Sequence, residues 1–139
     1  MHLRNNNLLS MVLRLRSSGA CIGELEMYIK SLFDQFNLTA DLYPNVLISL
    51  TEAVNNAIKH GNMNDHSKAV LVKSIKTGDR IHFVITDEGP GFDYQNLPDP
   101  TAPENIEKAG GRGVFLMRQL ADRVRFLNNG STVEMEFQI

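Results

Sequence analysis

The stretch from Leu47 to Asn62, LISLTEAVNNAIKHGN, carries two helical stripes. Leu47, Leu50, Val54, Ala57 and Ile58 recur at three- and four-residue steps, the spacing that lines up one apolar helix face. Roughly opposite stand Ser49, Glu52, Asn56 and either Lys59 or His60. Glu52, Asn56 and His60 are each four residues apart and stack in one row. Gly61 is expected to close the helix by taking a positive φ. An amphipathic helix with one face in water explains most of this pattern. It does not explain Asn55 and Asn56 in the helix interior, where asparagine costs about half a kcal/mol against alanine and its amide competes for backbone hydrogen bonds. Paired amides there point to a face that binds something.

Upstream, residues 8–17 alternate. Leu9, Met11, Leu13 and Leu15 interleave with Ser10, Arg14 and Arg16, predicting a strand with one buried side. From Ala20 to Phe36 the period lengthens, and Ile22, Leu25, Ile29, Leu32 and Phe36 make a helical stripe. Asn37–Thr39 break it. Asp41 is expected to cap the next helix, with Pro44 tolerated in the first turn.

Downstream, Ala69–Lys76 and Arg80–Thr86 read as strands joined by Thr77-Gly78-Asp79. Asp87 to Gly113 then holds four of the five prolines, a long loop of the kind that carries function. Val114–Leu120 is helix-compatible. Val124–Leu127 and Thr132–Ile139 form a second hairpin through Asn128-Asn129-Gly130. This order lacks the strand–helix alternation of a doubly wound parallel sheet. It predicts an α+β fold, with helices laid on one face of a mainly antiparallel sheet.

Length and charge bound the rest. A chain of 139 residues suits a single domain, 1–139, with a real core. A net charge of −2 argues against nucleic acid or an acidic membrane as partner. One cysteine, Cys21, permits no internal disulfide and no multi-cysteine metal site, which fits a reducing cytoplasm. Arg14 and Arg16 interrupt the N-terminal apolar run, so it does not read as a signal peptide.

Two glycine clusters flank the long loop: Asp87-Glu88-Gly89-Pro90-Gly91-Phe92 after a strand, and Gly110-Gly111-Arg112-Gly113 before a helix. Glycine admits a ligand close to the backbone, and a helix start favours phosphate. Neither cluster is a P-loop, and neither completes a dinucleotide fingerprint.

In order along the chain stand E-x-x-x-N-x-x-x-H-G-N, D-x-G-x-G-F and G-x-G. This combination resembles the GHKL family of ATPases and kinases, which includes gyrase and the histidine kinases. The wording TEAVNNAIKHGN, TDEGPGFD and GGRGVFLMRQLAD is most similar to the stand-alone anti-sigma-factor serine kinases of bacterial partner switching. The resemblance runs from about residue 20 onward. It implies the Bergerat ATP-binding fold, a two-layer sandwich of helices on a mainly antiparallel mixed sheet.

The resemblance also implies roles. Asn56 offers its amide oxygen to Mg²⁺, a hard cation satisfied by a few protein oxygens plus water and phosphate. Asn55 is a helix-surface or lid contact. Glu52 is the general base that takes the proton from an incoming serine hydroxyl, or orients a water. His60 either bonds near the phosphates or satisfies the helix end. Asp87 accepts a hydrogen bond from the adenine amino group. Gly89, Gly91 and Phe92 belong to the box where the backbone approaches ATP. Gly111 and Gly113 wrap the phosphates with Val114 behind them. Lys108 and Arg112 either neutralise triphosphate charge or are solvated. Ser131 is an adenine contact where relatives often carry threonine. Asp93-Tyr94 departs from a pattern in which proline often follows.

The implied protein is an ATP- and Mg²⁺-dependent serine kinase that doubles as a binding switch. Its implied partners are a sigma factor, an anti-anti-sigma (STAS-type) protein and a second copy of the chain in a homodimer. Two alternatives are a module that binds ATP without phosphotransfer, and the detached catalytic domain of a sensor histidine kinase.

Overall fold

Alternation of apolar and polar side chains builds the sheet. In the computed structural model, which describes residues 8–91, 93–95 and 111–139, five strands are β1 Leu8–Arg16, β2 Ala69–Thr77, β3 Arg80–Thr86, β4 Arg123–Leu127 and β5 Thr132–Gln138. They lie in the order β1-β2-β3-β5-β4, and every neighbouring pair is antiparallel. The register sets Val72 opposite Ile85, Phe83 opposite Met135, and Ile85 opposite Val133, so one face collects the buried side chains. On the other face, ion pairs Arg80–Glu136 and Arg125–Glu134 tie neighbouring strands.

Three helices cover the inner face: α1 Cys21–Gln35, α2 Tyr43–Asn56 and α3 Gly111–Leu120. Leu25, Ile29 and Leu32 of α1, Val46, Leu50 and Val54 of α2, and Val114 and Met117 of α3 join the sheet residues in one apolar cluster. Burying a large side chain of this type contributes roughly 1.5–3 kcal/mol, so the cluster is the main source of cohesion. The expected α+β sandwich, helices on one face of an antiparallel sheet, is what forms. One polar pair interrupts the layer: the Tyr28 hydroxyl of α1 meets Ser74 Oγ of β2 at 2.7 Å. Burial pushes the Tyr28 phenol above its ordinary pKa, partly opposed by that hydrogen bond.

Four local expectations need correction. Asp41 does not cap α2 with its side chain, because a 3-10 turn, Ala40–Leu42, runs straight into the helix and Tyr43 N–H bonds back to Ala40. Pro44 does sit in the first turn. Ser49 is not on a solvated face; it is 0 % exposed and its Oγ has no hydrogen-bond partner among the described residues. It lies one turn from Val46 and from Ala53, both buried, so the apolar face of α2 is broader than the first stripe implies. Gly61 does not close the helix through a positive φ. The chain widens into a π-turn, Ala57–Gly61, with Asn62 N–H donating to the Ala57 carbonyl at 2.7 Å. The left-handed residues come afterwards, at Met63 (φ 54°) and Asn64 (φ 59°). Helix α3 also starts earlier than expected, so Gly111 and Gly113 lie within its first turn.

Candidate functional site

The end of α2, its π-turn, the chain after β3 and the β4–β5 hairpin enclose an open cleft of about 630 Å³, mouth included. One wall is a helical face, Ala53, Asn56, Ala57, His60 and Gly61, spaced three and four apart. The floor is apolar, with Ile85, Met117 and Val133, and Phe126 closes one side. Asp87, Gly91 and Ser131 supply the polar and backbone edge.

Strand alternation delivers Asp87. Ile81, Phe83 and Ile85 of β3 point inward, and the same two-residue step turns Asp87 toward the helices. Its N–H donates to the Ser131 carbonyl at 3.0 Å, prolonging the β3–β5 ladder by one bond. Its Oδ1 accepts the Gly89 N–H at 2.8 Å. Burial raises the Asp87 pKa, opposed by the Gly89 N–H and by the charge of Lys68.

The glycines of this loop serve chain-to-chain approach. A Cβ on Gly89 would stand 2.9 Å from the Gly61 Cα and still nearer its carbonyl. Gly91 has φ +92°, and a Cβ there would stand 2.7 Å from the Asn129 carbonyl carbon. Loop and hairpin are thus packed backbone on backbone around the cleft.

The row Glu52–Asn56–His60 is split by the helix itself. The step from Glu52 to Asn56 overshoots a full turn of α-helix by about 40°, and beyond Asn56 the chain widens into the π-turn, so the row does not keep to one line. Asn56 and His60 line the cleft, whereas Glu52 is half-buried on its rim, toward α3. A Cβ on Gly113 would lie 2.8 Å from Asn56 Nδ2 and 3.1 Å from Glu52 Oε1. The first turn of α3 therefore rests on both side chains. Asn56 Nδ2 is buried and has no hydrogen-bond partner among the described residues. A buried unpaired amide loses roughly 1–3 kcal/mol, a deficit that a polar group lodged in the cleft would make good. Turning the amide over presents its oxygen instead. Among the described residues no three His, Cys, Asp or Glu side chains gather to hold a metal. The Asn56 amide is consistent with an ion that takes its other oxygens from phosphate and water.

Of the other residues singled out from sequence, Gly111 and Val114 are buried in α3, Arg112 is exposed beside them, and His60 is exposed at the cleft edge. Phe92 and Lys108 lie outside the described residues. The apolar walls escaped the sequence reading as site residues, because their strand and helix periodicity marks them only as core. Phe126 is the clearest case. Its ring stacks on Tyr94 with centroids 4.8 Å apart, and the Arg118 guanidinium lies 5.7 Å from its centroid. Tyr94, noted as a departure in the sequence, was the available signal. Among the described residues, no helix is long and apolar enough to cross a membrane.

Comparison with known proteins agrees with this architecture. The histidine kinase-like ATPase domain family matches residues 17–137. The chain is 28% identical over 131 residues to the serine-protein kinase RsbW of Staphylococcus aureus strains JH9, Newman and JH1, covering 88% of this chain and 82% of each relative.

Proposed function

The chain belongs to the histidine kinase-like ATPase domain family, and from that premise we propose that it is an ATP-dependent protein serine kinase acting as an anti-sigma switch. The observation that carries the reading is the close packing of Gly113 on Glu52 and Asn56 beside a cleft that Asn56 and Asp87 both line. A triphosphate laid between them has its base at Asp87 and its terminal phosphate near the start of α3, where free N–H groups favour anions. Likeness to serine-protein kinases adds the acceptor chemistry.

Each group then has a task. Asp87 accepts the adenine amino hydrogen bond, with Ser131 beside it. Glu52 takes the proton from the serine hydroxyl as the phosphoryl group leaves ADP. Asn56 contributes an oxygen to Mg²⁺, which when bound offsets charge on the phosphate oxygens. Gly89, Gly91, Gly111, Gly113 and Val114 shape the backbone around the nucleotide, and His60 and Arg112 border it. The partners are a sigma factor held inactive and an anti-anti-sigma protein that receives the phosphate, with the chain acting as a homodimer in the cytoplasm.

The test is Glu52→Gln. Phosphate transfer to a serine-bearing anti-anti-sigma partner is expected to fall about 10²–10⁴-fold, with Mg·ATP affinity kept within about threefold. Transfer at the wild-type rate would remove the kinase mechanism and leave a nucleotide-binding module.

A further inference from the structure

We propose that Asn62 is a positioning residue for the carboxylate that reads the base, an inference that rests on the role of Asp87 given above. Asn62 is 0 % exposed and contributes nothing to the cleft wall. Its amide nevertheless holds three separate parts of the chain. Nδ2 donates to Ser17 Oγ and to the Ala69 carbonyl, both at 3.0 Å, and Oδ1 accepts the Glu88 N–H at 2.7 Å. Ser17 Oγ passes the link on to the Lys68 carbonyl at 3.0 Å. Glu88 closes the circuit, its Oε2 accepting the Ala69 N–H at 2.6 Å. Asn62 is a bracket joining the end of β1, the start of β2 and the peptide that follows Asp87.

The place of that bracket gives it a function beyond cohesion. Ahead of Asp87, its own N–H is anchored on Ser131. Behind it, the peptide N–H of Glu88 is anchored on Asn62. These two bonds fix the orientation of the backbone from which the carboxylate projects. Hydrogen bonding weakens steeply with angle, so a reading group must be held within narrow limits of position and direction. Gly61 and Asn62 therefore act as one unit: the first leaves room for the carboxylate, and the second clamps the peptide behind it.

The probes are Mg·ATP and Mg·ITP, because inosine triphosphate lacks the 6-amino donor that Asp87 would read. Binding of each to the full chain is measured by calorimetry. The wild type is expected to prefer ATP by about tenfold, and Asp87→Ala to bring that ratio near one. Asn62→Ala is expected to cut the ratio about fivefold while ITP affinity stays within about twofold. The double variant is expected to lose nothing further, because one residue acts through the other. A wild type without preference for ATP overturns the reading of Asp87 itself. A wild type that prefers ATP, with a folded Asn62→Ala that keeps the ratio or loses both nucleotides equally, overturns this inference alone. Should Asn62→Ala not fold, Asn62→Ser leaves a hydroxyl in the bracket but withdraws the amide oxygen from the Glu88 N–H. Its ratio is then expected to fall about two- to threefold, and an unchanged ratio overturns the proposal.

Discussion

The Gly61 Cα faces the Asp87 carboxylate so closely that a Cβ there would stand 2.7 Å from Oδ1 and nearer still to Cγ and Oδ2. The carboxylate cannot retreat freely, since its backbone is bonded to Ser131 and its Oδ1 holds the Gly89 N–H. Gly61→Ala should therefore cost about 1–3 kcal/mol of stability, the usual cost of overpacking. It should also weaken ATP binding by displacing Asp87. Thermal melting and nucleotide calorimetry check both.

The raised pKa of Asp87 has a signed consequence. Over the range from its ordinary value of 3.8 up to the raised value, the folded chain keeps a proton that the unfolded chain has released. The folded state binds more protons there, so this group's contribution to stability falls as pH rises through that window and is flat above it. Asp87→Asn abolishes the fall. Its melting temperature relative to wild type should climb across the window and then hold constant, while ATP affinity at pH 7 drops about tenfold for loss of a charged acceptor.

Gly113→Ala separates stability from catalysis. Alanine gains about 1 kcal/mol over glycine within a helix, and its Cβ would press on the movable ends of Asn56 and Glu52. The two effects nearly cancel, so melting should shift little. Displacing both side chains by a fraction of an ångström should cost about 10²-fold in phosphate transfer. A steady-state assay beside a melting curve shows whether the two part.

Tyr28 and Ser74 form a pair far from the cleft in the core. Tyr28→Phe leaves the buried Ser74 hydroxyl without that partner and should cost about 1–3 kcal/mol. Adding Ser74→Ala removes the orphan and should recover a good part of the loss. Chemical denaturation of the two variants measures this.

Much of what lines the cleft was legible residue by residue. The period of Leu50 and Val54 announced α2, and the row Glu52–Asn56–His60 supplied two of the residues that line the cleft, Asn56 and His60. Alternation along Ile81, Phe83 and Ile85 carries straight on to Asp87. Ser49 was misread because it shares the chemistry of a polar face but sits one turn from Val46 and Ala53. The reason for Gly61 was misread for a different cause: what forbids its side chain is a carboxylate 26 residues away. The Tyr94–Phe126 stack had no local signal beyond an unusual tyrosine.

Periodicity is a property of neighbours along the chain, so the amino-acid order alone settled where the strands run and most of the buried faces, and its motifs settled the family; the breadth of the α2 face, the π-turn that ends it and the start of α3 were decided by the fold. Which side chains meet is a property of chain crossings. Ser17, Asn62, Ala69 and Glu88 join in one hydrogen-bonded circuit only because β1, β2 and the end of β3 lie side by side in the sheet. Nothing local in the chain encodes that meeting, and close packing is what makes each of its members matter.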